Sequence, residues 1–159
     1  MRITFALAIL ALSLGSSGAL AAGDPGSSSR MEAPKDPVLE KVAAATARQD
    51  WIGAQSLLKD AVSKDPNNAD YHNLFAYSIR KGPNPDMSLV FMHYNEALRI
   101  NPKHRGAHEY LGEAYLMVDN VAKAKEHLRV LDNLCFFGCS EYSDLKKAIA
   151  EHEQKQVAR

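Results

Sequence analysis

The chain has 159 residues, 46% of them hydrophobic and 24% charged, with 19 Lys and Arg against 19 Asp and Glu. Those proportions suit one ordinary globular core and exclude a low-complexity or disordered chain. The balanced charge supplies no field that would draw the molecule to nucleic acid or to an anionic membrane surface, so neither is expected as a partner.

Residues 1–21 read as a signal peptide. Arg2 precedes an apolar run from Ile3 to Leu14, and small residues then lead to Ala19-Leu20-Ala21, where a cut after Ala21 is expected. The run is shorter than the roughly 20 residues a membrane-crossing helix needs, so no stable insertion is expected once the signal is removed. No cysteine follows it to carry a lipid. The exported form would keep 159 − 21 = 138 residues and, with Arg2 lost, 18 basic against 19 acidic side chains. A periplasmic or secreted location is expected. Residues 22–35 are Gly, Ser, Pro and isolated charges, with too little apolar surface to offset the entropy of ordering, and read as a flexible leader.

From Asp36-Pro37 onward the chain reads as seven helices. An aspartate cap accepts from free amides, and proline in the first turn gives up an amide that has no partner there. Apolar residues then recur three and four apart. The second helix carries Trp51, Ala54, Leu57, Leu58 and Ala61; the third Tyr71, Leu74, Phe75 and Ile79; the fourth Leu89, Met92, Ala97 and Leu98. The fifth carries Tyr110, Leu111, Ala114, Tyr115 and Val118, and the sixth Val121, Ala124, Leu128 and Leu131. The last runs from Ser140 to about Gln154 and carries Tyr142, Leu145, Ala148 and Ile149. Pro66 and Pro102 stop one helix running into the next, so neighbours must turn back and pack antiparallel. No run alternates with period two, and the fold class is predicted to be all-α.

The chain also repeats itself. Ala61 with Pro66 recurs as Ala97 with Pro102; Ala54, Val90 and Ala124 correspond, as do Leu58, Tyr94 and Leu128, at offsets of 36 and then 34. This resembles the tetratricopeptide repeat (TPR) family, whose period is about 34 residues. The third repeat carries the fullest match, with Leu111-Gly112, Tyr115, Ala124 and Leu128 at the family's spacing, although Leu131 stands where alanine is usual. Gly112 is expected to face Ala124, because only small side chains let two backbones approach. In the second repeat Leu74-Phe75 aligns with Leu111-Gly112, so Phe75 and Val90 take the two small positions. An insert at Gly82-Pro83-Asn84-Pro85 lengthens the turn by about three residues, and this pair is expected to splay, shift or rotate. The first repeat keeps Ala54, Leu58, Ala61 and Pro66, but its opening helix has Lys41-Val42 at the Leu-Gly positions. The resemblance therefore implies about three repeats over residues 36–133, with residues 134–159 forming a Cys-x3-Cys turn and a capping helix.

Such proteins bind partner proteins on the face lined by the first helix of each pair. On this chain that face would present His72, Ala76, Ile79 and Arg80 from the second repeat and Glu109, Glu113, Leu116 and Met117 from the third. The glutamates argue against a carboxylate ligand and for a partly basic, partly apolar segment of a cell-envelope protein. The resemblance implies an adaptor and no enzyme, and the chain has no phosphate-cradling loop, Gly-x-Ser-x-Gly or His-Glu-x-x-His. No cofactor is expected.

Cys135 and Cys139 are the only cysteines, and an exported pair is expected to form a disulfide that fixes the turn before the last helix, with Phe136 and Phe137 packed beside it. A redox or metal-handling pair is the alternative. His104 and His108 have a spacing that can bring two imidazoles to one metal, but only Glu109 stands near as a third ligand, and no metal site is expected.

Overall fold

The computed structural model describes residues 36–158; the expected signal peptide and leader lie outside the described residues. Among these residues there are seven α-helices and no strand: α1 Pro37–Ala47, α2 Trp51–Lys64, α3 Ala69–Lys81, α4 Met87–Ile100, α5 Arg105–Met117, α6 Val121–Leu134 and α7 Ser140–Val157. The capping helix runs three residues past its expected end.

The helices begin where polar side chains can take up free amides. Asp36, Asp50, Asn68, Asp86 and Asn120 each accept from the first turn that follows. α5 uses a histidine instead: His104 Nδ1 accepts from the Ala107 amide at 3.1 Å, and its Nε2 lies 3.0 Å from Asp70 Oδ1. An accepting Nδ1 leaves the ring proton on Nε2, which donates to the carboxylate. His104 is thereby committed to a cap and to α3.

α1 packs on α2, α3 on α4 and α5 on α6, while α7 lies against both α5 and α6. α3, α5 and α7 also touch in turn, so the opening helices of successive pairs form one layer. Three clusters fill the interior. Val42, Leu58, Ala61 and Tyr71 make the first, with Leu74 against it. Ala76, Ile79, Val90, Tyr94, Leu111 and Ala114 make the second. Leu116, Ala124, Leu131, Leu145 and Ile149 make the third, joined by Tyr115 and Leu128. Ala54 and Ala97 are fully buried, and Pro66 and Pro102 are exposed in turns.

The backbone repeats as the sequence does. The amides of Asp65 and Asn68 donate to the carbonyls of Ala61 and Asp65; Asn101 and His104 do the same to Ala97 and Asn101, and Cys135 and Gly138 to Leu131 and Cys135. The offsets are again 36 and 34.

On the opening helices the structure corrects the register. His72 Nε2 lies 3.1 Å from Pro66 O, and His108 Nε2 lies 3.0 Å from Pro102 O, an offset of 36. Gly112 therefore corresponds to residue 112 − 36, Ala76, and Phe75 corresponds to Leu111. The second repeat keeps its small residue. Five residues, 82–86, join α3 to α4, against three, 118–120, between α5 and α6, so the insert adds two residues. α3 and α4 stay in close contact rather than splaying, with Val90 and Tyr94 sealed between them and α5.

Gly112 differs from expectation as well. A Cβ built there would lie 2.6 and 2.7 Å from the two methyl carbons of Leu145, so the closest approach at this glycine is made by α7 and not by Ala124 of α6. The small residue makes room for the capping helix.

Candidate functional site

The layer of α3, α5 and α7 carries a groove. A cavity of about 380 Å³ is lined by Tyr77 and Lys81 from α3, Glu109, Tyr110 and Glu113 from α5, and Asp144, Lys147, Ala148 and Glu151 from α7. A second, of about 280 Å³, shares Glu113, Ala148 and Glu151 with it and adds Arg80, Leu116, Met117, His152 and Lys155. The two cavities adjoin along these shared residues and together form the groove.

Five of the eight expected groove residues line it: Arg80, Glu109, Glu113, Leu116 and Met117. His72, Ala76 and Ile79 do not. Ala76 has no exposed surface and Ile79 belongs to the central core, while the His72 ring meets α4. The cause is the one-residue slip in register on α3. With the observed offset of 36, the equivalents of Glu109, Glu113 and Met117 are Asn73, Tyr77 and Lys81, and the last two line the cavity. Asn73 is only 5% exposed, and its Oδ1 finds no hydrogen-bond partner among the described residues. Tyr110 of α5 and Asp144 and Lys147 of α7 were also missed. Their signal was the spacing 144, 147, 148 and 151, which places one face of α7 in line with 109 and 113.

Arg80 is a strut more than a binding residue. Its Nη2 donates to Glu113 Oε2 at 2.6 Å and its Nε to Tyr94 Oη at 3.3 Å. Its guanidinium carbon also lies 5.6 and 5.7 Å from the ring centroids of Tyr77 and Tyr110. One side chain thus ties α3, α4 and α5 together, and cation–π attraction adds to the ion pair.

Glu109 is the opposite case. It is 8% exposed and has neither a hydrogen bond nor an ion pair among the described residues. Burial first, then the negative charges of Glu113, Asp144 and Glu141, push its carboxyl up to about 7, against the pull of Arg80.

The histidines that fell outside the groove form a second pattern. His72 Nδ1 lies 2.9 Å from His93 Nδ1, and His108 Nδ1 lies 2.9 Å from His127 Nδ1. A carbonyl only accepts, so Nε2 of His72 and His108 carries a proton toward Pro66 and Pro102; Nδ1 of each neutral ring then accepts from its partner. Each pair joins the two helices of one repeat to the turn before it. Burial, and then the neighbouring imidazole, lowers the pKa of His93, and the same two causes take His127 down to about 4.

No family model matches the sequence, and no curated protein matches it either. Among solved structures, the TPR2B domain of yeast Sti1 in its complex with pHsp70 is similar at a TM-score of 0.65 and 16% identity, over 74% of this chain and 94% of that one. The CopN–Scc3 complex is similar at a TM-score of 0.56 and 16% identity, over 72% of this chain and 65% of that one, just under two thirds of its length. The fold is TPR-like.

In this TPR-like stack the Cys135–Gly138 turn occupies the place of the turns that begin at Asp65 and Asn101. The earlier two are stiffened by Pro66 and Pro102 and are followed by the caps Asn68 and His104. Before α7 both devices are gone: Phe136 replaces proline, and Cys139 offers no capping side chain. In their place the sulfurs of Cys135 and Cys139 come to bonding distance, with Cα atoms 5.5 Å apart. Phe136 and Phe137 are 87% and 97% exposed, touching each other edge to face. They do not pack beside the cysteines, because their positions are those of Pro66-Asn67 and Pro102-Lys103, which also face solvent. Among the described residues no helix is long and apolar enough to cross a membrane, and no cluster of three His, Cys, Asp or Glu could hold a metal ion.

Proposed function

We propose that this chain is an exported, non-catalytic adaptor that binds a partner protein of the cell envelope along the groove of α3, α5 and α7. The observation that carries the reading is the pair of adjoining cavities on the opening-helix layer. Two of the solved structures to which the fold is similar, those named above, are complexes with a partner protein. The wall mixes aromatic rings, carboxylates and the exposed thioether of Met117, which suits a partly basic, partly apolar segment. Export rests on the first 21 residues: Arg2, the apolar run and the small residues before Ala22. In that compartment Cys135 and Cys139 act as a staple that does the work of the missing proline and cap.

Exposed groove residues provide the test, because substituting Arg80 would test folding instead. Asp144→Lys, Met117→Ala and Glu151→Lys variants should lose the envelope protein that the unaltered chain captures. A Phe136→Ser, Phe137→Ser variant should retain it. Capture lost only with the phenylalanines would place binding on the loop and end the groove reading. Mass spectrometry of the exported chain should find Ala22 as its first residue. A thiol-redox role is separated by measuring the reduction potential: a bridge that resists glutathione fits a staple, and one that exchanges readily does not.

A further inference from the structure

At repeat-equivalent positions of the opening-helix layer, Asn73 Oδ1 on α3 is buried without a partner, and Glu109 on α5, only 8% exposed and lining the cavity, makes no hydrogen bond or ion pair among the described residues. A carboxyl group held in a cavity wall with no donor from its own chain is suited to a donor brought from outside. Around Glu109 the neighbouring carboxylates are mostly answered. Glu113 is held by Arg80, Glu141 lies 3.5 Å from Arg105, and Glu151 lies 3.9 Å from Lys147. Lys81 lies over the Tyr77 ring. Glu109 and Asp144 remain, on α5 and α7 of the same cavity, with no cation paired to either among the described residues.

Tyr77 and Tyr110 stand beside them with ring centroids 4.7 Å apart. Their rings narrow the water around the carboxylates, and a desolvated site strengthens the attraction of a carboxylate for a cation. The cavity thus offers two unanswered carboxylates beside two tyrosine rings that already face Arg80 and Lys81.

We infer that the cavity between α3, α5 and α7 is a subsite for one cationic side chain, arginine or lysine, of the bound protein segment, with Glu109 as its buried anchor and Asp144 as its outer contact. The inference rests on the groove reading above and adds the chemistry of one position in the ligand. Because its surroundings hold Glu109 partly protonated near neutrality, the arriving cation also displaces that proton. Binding should therefore strengthen as pH rises.

Selection from a displayed library of random peptides on the unaltered protein is the experiment. The selected peptides should share arginine or lysine at one fixed position, and Glu109→Gln should abolish that preference while leaving the neighbouring positions unchanged. Replacing the shared residue by citrulline or acetyl-lysine should weaken binding at least about tenfold to the unaltered protein and less than about twofold to Glu109→Gln, as coupling between contacting charges requires. Asp144→Asn, at an exposed position of α7, should give an intermediate loss. For the basic peptide, affinity should rise about five- to tenfold from pH 6 to pH 8, the change in ionised fraction of a carboxyl titrating near 7, and should stay flat for Glu109→Gln. Groove-dependent peptides without a fixed basic residue, or a basic residue equally favoured by Glu109→Gln, would overturn the subsite and leave the groove standing. Selection unaffected by Glu151→Lys and Met117→Ala would remove the groove reading, and the subsite with it.

Discussion

Leu145 of α7 lies so close to Gly112 of α5 that a methyl group on the glycine would sit 2.6 Å from its Cδ2 atom. Leu145 has no exposed surface and is locked in the third cluster, so the leucine cannot simply swing away. Gly112→Ala should therefore destabilise the protein, since overpacking costs about 1–3 kcal/mol against a gain of about 1 kcal/mol from helix propensity. Chemical denaturation should show a net loss, with raised hydrogen exchange concentrated in α7.

Acid should weaken the fold through the histidine pairs. Burial first, and then His108, holds His127 at about 4, against 6.5 for a free ring. The unfolded chain thus takes up a proton between about pH 6.5 and pH 4 that the folded chain refuses, and stability falls as pH drops through that window. His127 alone should account for about 1–2 kcal/mol between pH 7 and pH 5, after discounting for its half-buried position. Denaturation of His127→Phe at both pH values should show a flatter dependence than the parent.

Glu109 should act in the opposite direction. Its carboxyl titrates at about 7 when folded and near 4.5 when free, so the folded chain retains a proton that the unfolded chain loses, and stability falls as pH rises from 4.5 through 7. Glu109→Gln should be more stable than the parent by about 1–3 kcal/mol at pH 8 and by about a quarter of that at pH 5. A thermal scan at the two pH values checks this. It would also mark Glu109 as a residue kept at a cost to stability, the usual sign of a group retained for binding.

Much of this was legible in the chain. Helices α2 to α6 followed from apolar stripes and from Pro66 and Pro102, and the offsets of 36 and 34 were the real backbone period. The register of α3 was misread because Leu74 invites alignment with Leu111. The two-residue insert lies after α3, so the opening helices of the second and third repeats are 36 apart while their closing helices are 34 apart. The histidine pairs were written at those same offsets, 72 with 108 and 93 with 127, but spacing alone does not tell a groove side chain from one turned inward. The burial of Glu109 was out of reach, since it depends on how closely α7 approaches. Phe136 and Phe137 were misjudged by residue type; their position in the repeat, at a turn, was the better guide.

Removing both sulfurs should have a modest, local effect. A bridge across four residues closes a small ring, for which loop-closure entropy gives about 2 kcal/mol. Cys135→Ser, Cys139→Ser should stay folded, with faster amide exchange at the start of α7. Phe136→Ser, Phe137→Ser should change stability by less than about 0.5 kcal/mol, as expected for exposed positions.

The two residues added between α3 and α4 are absorbed wholly in the bend at 82–86, where Pro83, Asn84 and Asp86 face solvent and Asn84 adopts φ 54°. Length can change there without disturbing either layer of rods. None of residues 82–86 lines either cavity, so a fluorophore-bearing peptide spliced beside Asn84 would leave the groove's own side chains in place while sitting near enough to report on occupancy.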